Sequence, residues 1–161
     1  LLHKPVGVET SNVDRPTEHQ TVRELLPKEL QGKIYPVGRL DKDSSGLLLF
    51  TNDGVLAYRL THPKFEHEKE YEVTTVNPMT AGQLNKLQDG LKILGERTKP
   101  ATVKRINPNC FRISLTEGRN RQIRRMVQKV GSQVKHLKRV RIVTLEDAQL
   151  KPGALRALDD R

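Results

Sequence analysis

Short apolar runs bounded by Gly, Pro, Asn and Asp recur along the chain, and this pattern favours strands over long helices. Residues 69–76 alternate between apolar and polar positions and carry Tyr71 and Val73, which is typical of a half-buried strand. Residues 98–106 and 111–115 flank an Asn-Pro-Asn turn, which predicts a hairpin. The predicted strands are residues 1–3, 34–37, 47–50, 69–76, 98–106, 111–115 and 136–143.

Four segments carry helix signals. Thr21 followed three residues later by Glu24 has the spacing of a capping box, and it opens the first of them. Thr80 is the predicted N-cap of the third, which places Leu84 and Leu87 on one face. The predicted helices are residues 21–26, 53–60, 80–87 and 121–130.

These elements together predict the fold class. Strands outnumber helices and several strands are linked by hairpins, so we expect an α+β fold with a mostly antiparallel or mixed sheet and flanking helices. The polar stretch 10–19 is predicted to be a mobile loop. A length of 161 residues suits one domain, or two small lobes that share a core.

Composition narrows the partners and the compartment. Hydrophobic residues make up 35% of the chain and aromatic residues 4%, so the core is aliphatic and modest. A net charge of +10 indicates a polyanionic partner, either nucleic acid or an acidic membrane surface. No apolar run approaches the roughly 20 residues of a membrane span, and we expect no membrane association. The single Cys110 cannot form an internal disulfide, which fits a reducing cytosol and leads us to expect a cytoplasmic protein.

The positive charge is concentrated around the last predicted helix. No acidic residue lies between Glu117 and Glu146, whereas nine basic residues do. The helix repeats apolar residues at the spacing of a buried face, so its other face is free to meet phosphates. A solvated basic surface is the alternative, and a membrane-surface helix would carry bulky aromatic residues that this one lacks. The basic residues are Arg119, Arg121, Arg124, Arg125, Lys129, Lys135, Lys138, Arg139 and Arg141, and the apolar ones are Ile123, Met126, Val127 and Val130.

The candidate for chemistry is Asp41, which stands between Arg39 and Lys42 in a loop bracketed by Gly38 and Gly46. A carboxylate flanked by cations, next to a rigid strand, is placed as a reactive group would be. Taken alone, the same pattern also fits a surface loop with a weak local ion pair.

Other chemistries find less support in the sequence. The five histidines are scattered, and Asp41 and Asp43 do not have the ligand spacing of a zinc or two-metal site, so we expect no metal. No phosphate-binding P-loop or dinucleotide fingerprint is present, and Ser44-Ser45 lacks the context of a nucleophile elbow. Cys110 lies in a predicted strand, where packing is its expected role. What remains is a lone carboxylate that acts on a bound polyanion.

Four segments in order resemble the motifs of RNA pseudouridine synthases, in particular the RsuA/RluB/RluE/RluF branch. Gly38-Arg39-Leu40-Asp41 with Ser44-Ser45-Gly46-Leu47-Leu48 resembles the catalytic motif. The run from Glu117 to Met126 resembles the late motif of the branch, and Lys4-Pro5-Val6-Gly7 and Lys69-Glu70-Tyr71 match two further marks. His3 stands where the family usually has Asn. The residues His67-Glu68-Lys69-Glu70-Tyr71 and Ile93-Leu94-Gly95 look most like the RluF type, which acts on large-subunit (23S) ribosomal RNA.

The resemblance implies a pseudouridine synthase fold and an isomerase. The enzyme would break the bond between uracil N1 and ribose C1′, turn the base, and rejoin it through C5. Nothing is oxidised and no group leaves, so no cofactor is implied. Asp41 is the implied catalytic carboxylate, either as a nucleophile at C1′ that forms an ester or as a base at C2′ that gives a glycal.

The resemblance also implies partners for Asp41. Arg124 would pair with this carboxylate and keep it ionised in a site that excludes water, where burial alone would neutralise it. Tyr71 would stack under the uracil and take the C5 proton, although cross-strand packing is the alternative for that ring. A base inside structured RNA must be flipped out to react. The expected RNA contacts are Arg39, Lys42, Arg119, Arg121 and Arg125.

We therefore expect residues 1–161 to be a two-lobed catalytic domain with an RNA cleft between the lobes. The S4-like RNA-binding domain that family members usually carry at the N-terminus is expected to be absent, and a monomer is expected. The rival hypothesis is a non-catalytic RNA-binding or ribosome-assembly protein that keeps the fold. A metal-dependent nuclease is a weaker third hypothesis, because the sequence lacks ligands for it.

Overall fold

The computed structural model describes residues 1–11 and 20–158. The chain forms two compact units, one made of Leu1–Phe65 and Glu146–Arg161 and the other of Glu66–Leu145. Both units combine helices with antiparallel strands, so the predicted α+β class is confirmed. Most of the loop predicted at residues 10–19 falls on residues 12–19, which lie outside the described part of the chain.

Two small antiparallel pairings form the frame of the first unit. β1 pairs with β3 so that Leu2 lies opposite Leu48 and Lys4 opposite Gly46, and β2 pairs with β4. The predicted strand at 47–50 is confirmed in position, although a break at Leu49 divides it between two strands. The strands are β1 (Leu2–Lys4), β2 (Tyr35–Pro36), β3 (Ser45–Leu48) and β4 (Phe50–Thr51).

The helices of this unit follow two of the predicted segments. α1 (Gly54–Thr61) begins after Asp53, whose Oδ1 accepts from the amides of Val55 at 3.0 Å and Leu56 at 3.1 Å. Within the predicted helix 21–26 only Val22–Leu25 form a short 3-10 helix, and the predicted capping box is wrong because the Thr21 side chain makes no capping bond. Thr21 is buried in a parallel bridge with Glu9, so its backbone is already committed to extended pairing.

The end of the chain covers the outer edge of β1. Leu155 bridges to Leu2, and the amides of His3 and Gly153 bond to carbonyls on the opposite segment at 3.1 and 2.7 Å. The Arg156 amide donates to the Leu1 carbonyl at 2.8 Å. β1 is therefore paired on both sides, by β3 on one and by this C-terminal segment on the other.

The second unit is a four-stranded antiparallel sheet in the order β10-β5-β9-β8, covered by two helices. Its strands are β5 (Lys69–Thr75), β6 (Lys92–Ile93), β7 (Glu96–Arg97), β8 (Thr102–Asn107), β9 (Cys110–Leu115) and β10 (Val134–Ile142). Its helices are α2 (Ala81–Asp89) and α3 (Gln122–Lys129). The predicted β8–β9 hairpin and both predicted helices are confirmed.

One apolar cluster holds this unit together. The sheet contributes Val73, Phe111 and Ile113, which are almost fully buried, and α2 contributes Leu84 and Leu87 as predicted. α3 buries its predicted apolar face of Ile123, Met126 and Val127 in the same cluster. The thiol of Cys110 is buried too, and burial raises its pKa, which agrees with a packing role.

A short β6–β7 hairpin was not anticipated from the sequence. Each of its strands has two residues, and the turn between them places Leu94 in the left-handed region at φ +49°. The strand predicted at 98–106 begins only at Thr102, because Thr98 pairs with Leu91 instead: its amide bonds the Leu91 carbonyl at 2.9 Å. Such short pairings have no periodicity that a sequence pattern could detect.

Candidate active site

The loop between β2 and β3 carries Asp41 beside a cavity of about 740 Å³. Asp41 is half-buried, whereas its neighbours Arg39 and Lys42 are exposed. The loop turns back on itself, since the Ser44 amide donates to the Asp41 carbonyl at 3.0 Å. The cavity is lined by Glu9, Thr10, Ser11, Pro36, Gly38, Arg39, Leu40, Asp41 and Lys42.

Hydrogen bonds fix the backbone on both sides of Asp41. The buried hydroxyl of Thr10 donates to the Leu40 carbonyl at 2.7 Å and accepts from the Leu40 amide at 3.1 Å. The amide of Gly7 donates to the Lys42 carbonyl at 2.8 Å. The residues before and after Asp41 are thus both tied to the segment 7–10.

The buried side chain of Lys4 supports the backbone of that segment. Its side chain is fully buried, and its Nζ donates to the carbonyls of Val8 at 2.7 Å and Pro5 at 2.9 Å, with a longer contact of 3.4 Å to Lys42. Burial lowers the pKa of Lys4 from 10.5 to about 8, while the carboxylates of Asp43 and Asp41 act in the opposite direction. The lysine of the Lys-Pro-Val-Gly motif is therefore an internal brace of the loop.

Tyr71 lies in the middle of β5, in the second unit. It is opposite Ile113 on β9 and Arg139 on β10, and its half-buried ring packs against the apolar cluster. The ring is therefore partly in the core and partly accessible, which suits either packing or contact with a flat ligand.

α3 and the residues before it carry four of the predicted site arginines. Arg124 is half-buried and directly follows Ile123, which belongs to the buried face of the helix. Arg121 is exposed at the N-cap and adopts a left-handed backbone at φ +48°. Arg125 is also half-buried, and its guanidinium donates to the carbonyl and the side-chain Oδ1 of Asn120, both at 3.0 Å.

Arg119 also makes structural contacts that the sequence did not predict. Its guanidinium donates to the carbonyls of Ile93 and, at 3.2 Å, Glu96, so that it ties both strands of the β6–β7 hairpin to the start of α3. Its amide donates to Oε1 of Gln122 at 3.1 Å. Nε2 of Gln122 in turn donates to Glu117 at 2.8 Å, which orders the whole 117–122 stretch.

The predicted residues therefore fall into two groups. Arg39, Asp41 and Lys42 share one loop of the first unit, and the others belong to the second unit, four of them within residues 119–125. The sequence pattern did not reveal the bond of Thr10 to Leu40 or the burial of Lys4. Both depend on contacts between distant parts of the chain, and a single sequence gives no signal for them.

Two features are absent from the described part of the chain. Within residues 1–11 and 20–158, no group of three or more His, Cys, Asp or Glu side chains is arranged to hold a metal ion. In the same residues no helix has the length and apolar character needed to cross a membrane.

A family model for RNA pseudouridylate synthases matches residues 1–129, which include Asp41, Tyr71 and Arg124. The chain belongs to the RNA pseudouridylate synthase family. It is 39% identical over 159 residues to the dual-specificity RNA pseudouridine synthase RluF of Escherichia coli (strain K12), an alignment that covers 99% of this chain and 53% of that relative. It is 38% identical over 164 residues to the ribosomal small subunit pseudouridine synthase A of the same organism, covering 99% of this chain and 70% of that one. The chain thus spans about half the length of the RluF proteins it matches.

Solved structures agree with the place of this chain among pseudouridylate synthases. A crystal structure of a pseudouridylate synthase superposes with a TM-score of 0.92 and 34% sequence identity, covering 98% of this chain and 68% of that one. A crystal structure of the archaeal box H/ACA sRNP Nop10-Cbf5 complex matches with a TM-score of 0.56 at 19% identity, which is a likeness of fold alone.

Proposed function

We propose that this chain isomerises specific uridines of ribosomal RNA to pseudouridine, with Asp41 acting on the ribose of a flipped-out uridine. The proposal rests on the Asp41 loop and the cavity beside it. In this member of the family, the half-buried Asp41 carboxylate lines a cavity of about 740 Å³, and hydrogen bonds fix the residues on both sides of it. Such a concave site with a placed carboxylate suits a nucleoside.

The proposed reaction breaks one bond and makes one. The C1′–N1 bond breaks while C1′ is held by Asp41 as an ester or converted to a glycal, the uracil turns, and a C1′–C5 bond forms. The proton on C5 is then lost and N1 ends with a proton, so the product has the same atoms as the substrate. One carboxylate is sufficient, because the base must be kept and recaptured, unlike glycoside hydrolysis, in which a pair of carboxylates releases the sugar to water.

Two residues of the second unit are assigned to the same step. Arg124 is proposed to pair with the Asp41 carboxylate, which keeps it ionised and directs it at the sugar. Tyr71 is proposed to stack on the uracil and to take the C5 proton. The partly accessible ring of Tyr71 supports the second assignment, since a fully buried ring could not meet a base.

The RNA contacts are proposed to come from both units. Arg39 and Lys42 are exposed beside Asp41, and Arg121 is exposed at the start of α3, so RNA phosphates can reach these three side chains from solvent. Arg125 and Arg119 are half-buried and already hold backbone carbonyls, so their RNA contacts would use the remaining N–H groups. The enzyme is proposed to work as a cytoplasmic monomer without a cofactor.

Large-subunit (23S) RNA is the proposed substrate, because residues 67–71 and 93–95 resemble the RluF type. The two named relatives from Escherichia coli are almost equally similar to this chain, so this choice rests on those short segments and has to be measured directly.

The deciding experiment compares Asp41→Asn with Asp43→Asn, its matched control two residues away in the same loop. Transcripts of 23S and 16S RNA are incubated with each protein, and pseudouridine is located by carbodiimide-dependent stops in primer extension. We expect site-specific stops with the wild type and Asp43→Asn, and none with Asp41→Asn, which should still bind RNA. Equal activity of Asp41→Asn and wild type would disprove the proposed mechanism. A wild type that binds RNA but produces no stops would favour the non-catalytic RNA-binding alternative.

A further inference from the structure

The segment 4–10 contacts the chain immediately before and immediately after Asp41. Thr10 bonds to Leu40, and Gly7 bonds to Lys42. Asp41 thus lies between two anchored peptide units. We propose that Thr10 is a positioning residue, whose hydroxyl fixes the Asp41 carboxylate in the orientation needed for catalysis. The inference rests on the function proposed above.

The geometry at Leu40 explains why the hydroxyl matters. Both backbone polar groups of Leu40 bond to the one oxygen of Thr10, which acts as donor and acceptor at once. Leu40 and Thr10 are only 7% and 4% exposed, so water has little access to these bonds. Without the hydroxyl, a buried N–H and a buried C=O would be left unsatisfied, which is costly, and the peptide would move to find partners.

That movement would be transmitted directly to the carboxylate. The Leu40 carbonyl belongs to the peptide that leads into Asp41, so rotation of this peptide swings the Cα–Cβ bond of Asp41. A displacement of about 1 Å in a reacting group can lower a rate by about 100-fold. The effect falls on the chemical step and not on RNA affinity, because Thr10 carries no charge and is only 4% exposed.

The rest of the anchoring survives when the hydroxyl is removed. Gly7 still bonds to Lys42, and Lys4 still holds the carbonyls of Pro5 and Val8. The neighbouring residue Glu9 is held by backbone bonds to Gln20 and Val22, both of 2.9 Å. Replacement of Thr10 by Val keeps the branched shape and removes only the hydroxyl, so the loop should remain folded but lose its fixed orientation.

The test compares Thr10→Val with Thr10→Ser, which keeps the hydroxyl and removes only a methyl group. Initial rates of pseudouridine formation are measured over a range of RNA concentrations, well below the melting temperature of each variant. We expect Thr10→Val to lower kcat by about 10- to 100-fold with an unchanged KM, whereas Thr10→Ser should stay near the wild type. A wild-type kcat for Thr10→Val would overturn the inference, as would an equal loss in both variants or a loss confined to KM.

A second measurement does not depend on the variant being folded. Amide hydrogen exchange of Leu40 in the wild-type protein should be slow, because its N–H donates to Thr10. Exchange at the rate of an unstructured peptide would refute the anchoring outright. An inactive wild type with a protected Leu40 amide would instead count against the proposed function and leave the anchoring of the loop established.

Discussion

At the scale of single residues, the loop around Asp41 is supported by a buried lysine. Lys4 is fully buried, and backbone carbonyls surround its ammonium group. A buried ammonium is costly, and its hydrogen bonds to the carbonyls of Pro5 and Val8 offset part of that cost. The cost appears as the lowered pKa of Lys4, and it makes the residue measurable by titration.

Lys4 should give folding stability a distinct pH dependence. The folded chain releases the Lys4 proton near pH 8, whereas the unfolded chain keeps it up to about pH 10.5. Between these values the unfolded state binds more protons, so the free energy of unfolding attributable to Lys4 rises with pH. Relative to Lys4→Met, which has no titrating group there, the free energy of unfolding of the wild type should rise by about 3–4 kcal/mol across this window, since one pKa unit corresponds to about 1.4 kcal/mol. Urea unfolding of both proteins at several pH values measures the difference, and parallel curves would contradict the expectation.

Asp41 could be predicted as a site residue from the sequence, whereas the residues that support it could not. Asp41 could be singled out because its basic neighbours and the following apolar strand are adjacent in the chain. Thr10 lies 30 residues from Leu40, and Lys4 lies 38 residues from Lys42, so no local pattern connects them. Contacts between backbone and side chain at such separations become visible only in the folded chain.

At the scale of elements, α2 shows how a turn can depend on one glycine. Its N-terminus has a complete capping box between Thr80 and Gln83, and its C-terminus ends at Gly90 with φ +94°. A Cβ built on Gly90 would lie 2.4 Å from the Thr98 carbonyl oxygen, which is far inside normal contact. The close approach places the end of α2 against the backbone of Thr98, whose amide donates to the Leu91 carbonyl.

Gly90→Ala and Gly95→Ala form a matched pair that separates steric clash from backbone strain. Gly95 also has a positive φ, of +83°, but a Cβ there would meet no atom within 4 Å. We expect about 1 kcal/mol of destabilisation from strain alone in Gly95→Ala, and a further 1–3 kcal/mol from overpacking in Gly90→Ala. Chemical denaturation gives both values. Equal losses of stability in the two variants would mean that the backbone near Thr98 moves to accommodate the added methyl group at no measurable cost in free energy.

Prediction of the elements succeeded where a long pattern was available. The predicted bounds of α3 differ by only one residue at each end from those observed, because its apolar spacing and its charge pattern agree over about two turns. The β6–β7 hairpin is not predicted by the sequence, because strands of two residues each cannot show a periodic pattern. The helix predicted at 21–26 is longer than the one observed. The spacing of Thr21 and Glu24 fits a capping box, but Thr21 pairs with the distant Glu9 instead of capping the helix.

At the scale of the whole molecule, charge is the dominant property. The net charge is +10, and the stretch between Glu117 and Glu146 contains no acidic residue to offset its nine basic ones. A surface of this kind attracts polyanions over a distance set by ionic strength, so both RNA affinity and its salt dependence should be large. What matters for function is whether the charge acts locally at α3 or only through the total.

Two double variants with the same change in net charge answer this question. Arg121→Gln with Arg125→Gln removes two cations at α3, and Lys28→Gln with Lys33→Gln removes two exposed cations elsewhere. If the α3 arginines contact phosphates, the first pair should lower the slope of log affinity against log salt by about 1–2 units, and the second pair should leave it nearly unchanged. Filter binding or fluorescence anisotropy at several salt concentrations provides the slopes. Identical slopes for the two double variants would show that only total charge matters.

Residues 153–156 pair with the outer edge of β1, so the loss of this segment would expose that edge. Proteolytic cleavage after Gly153 would remove the backbone partners of Leu1 and Leu2 and the carbonyl that accepts from the His3 amide. The bared strand edge could then recruit a strand from another chain, which is a common start of aggregation. Because β1 ends at the buried ammonium of Lys4, such nicking would also loosen the support of the carboxylate loop from more than 100 positions away in the chain. Purified protein would then lose solubility, and with it the proposed activity, from damage to a stretch far from Asp41 in the sequence.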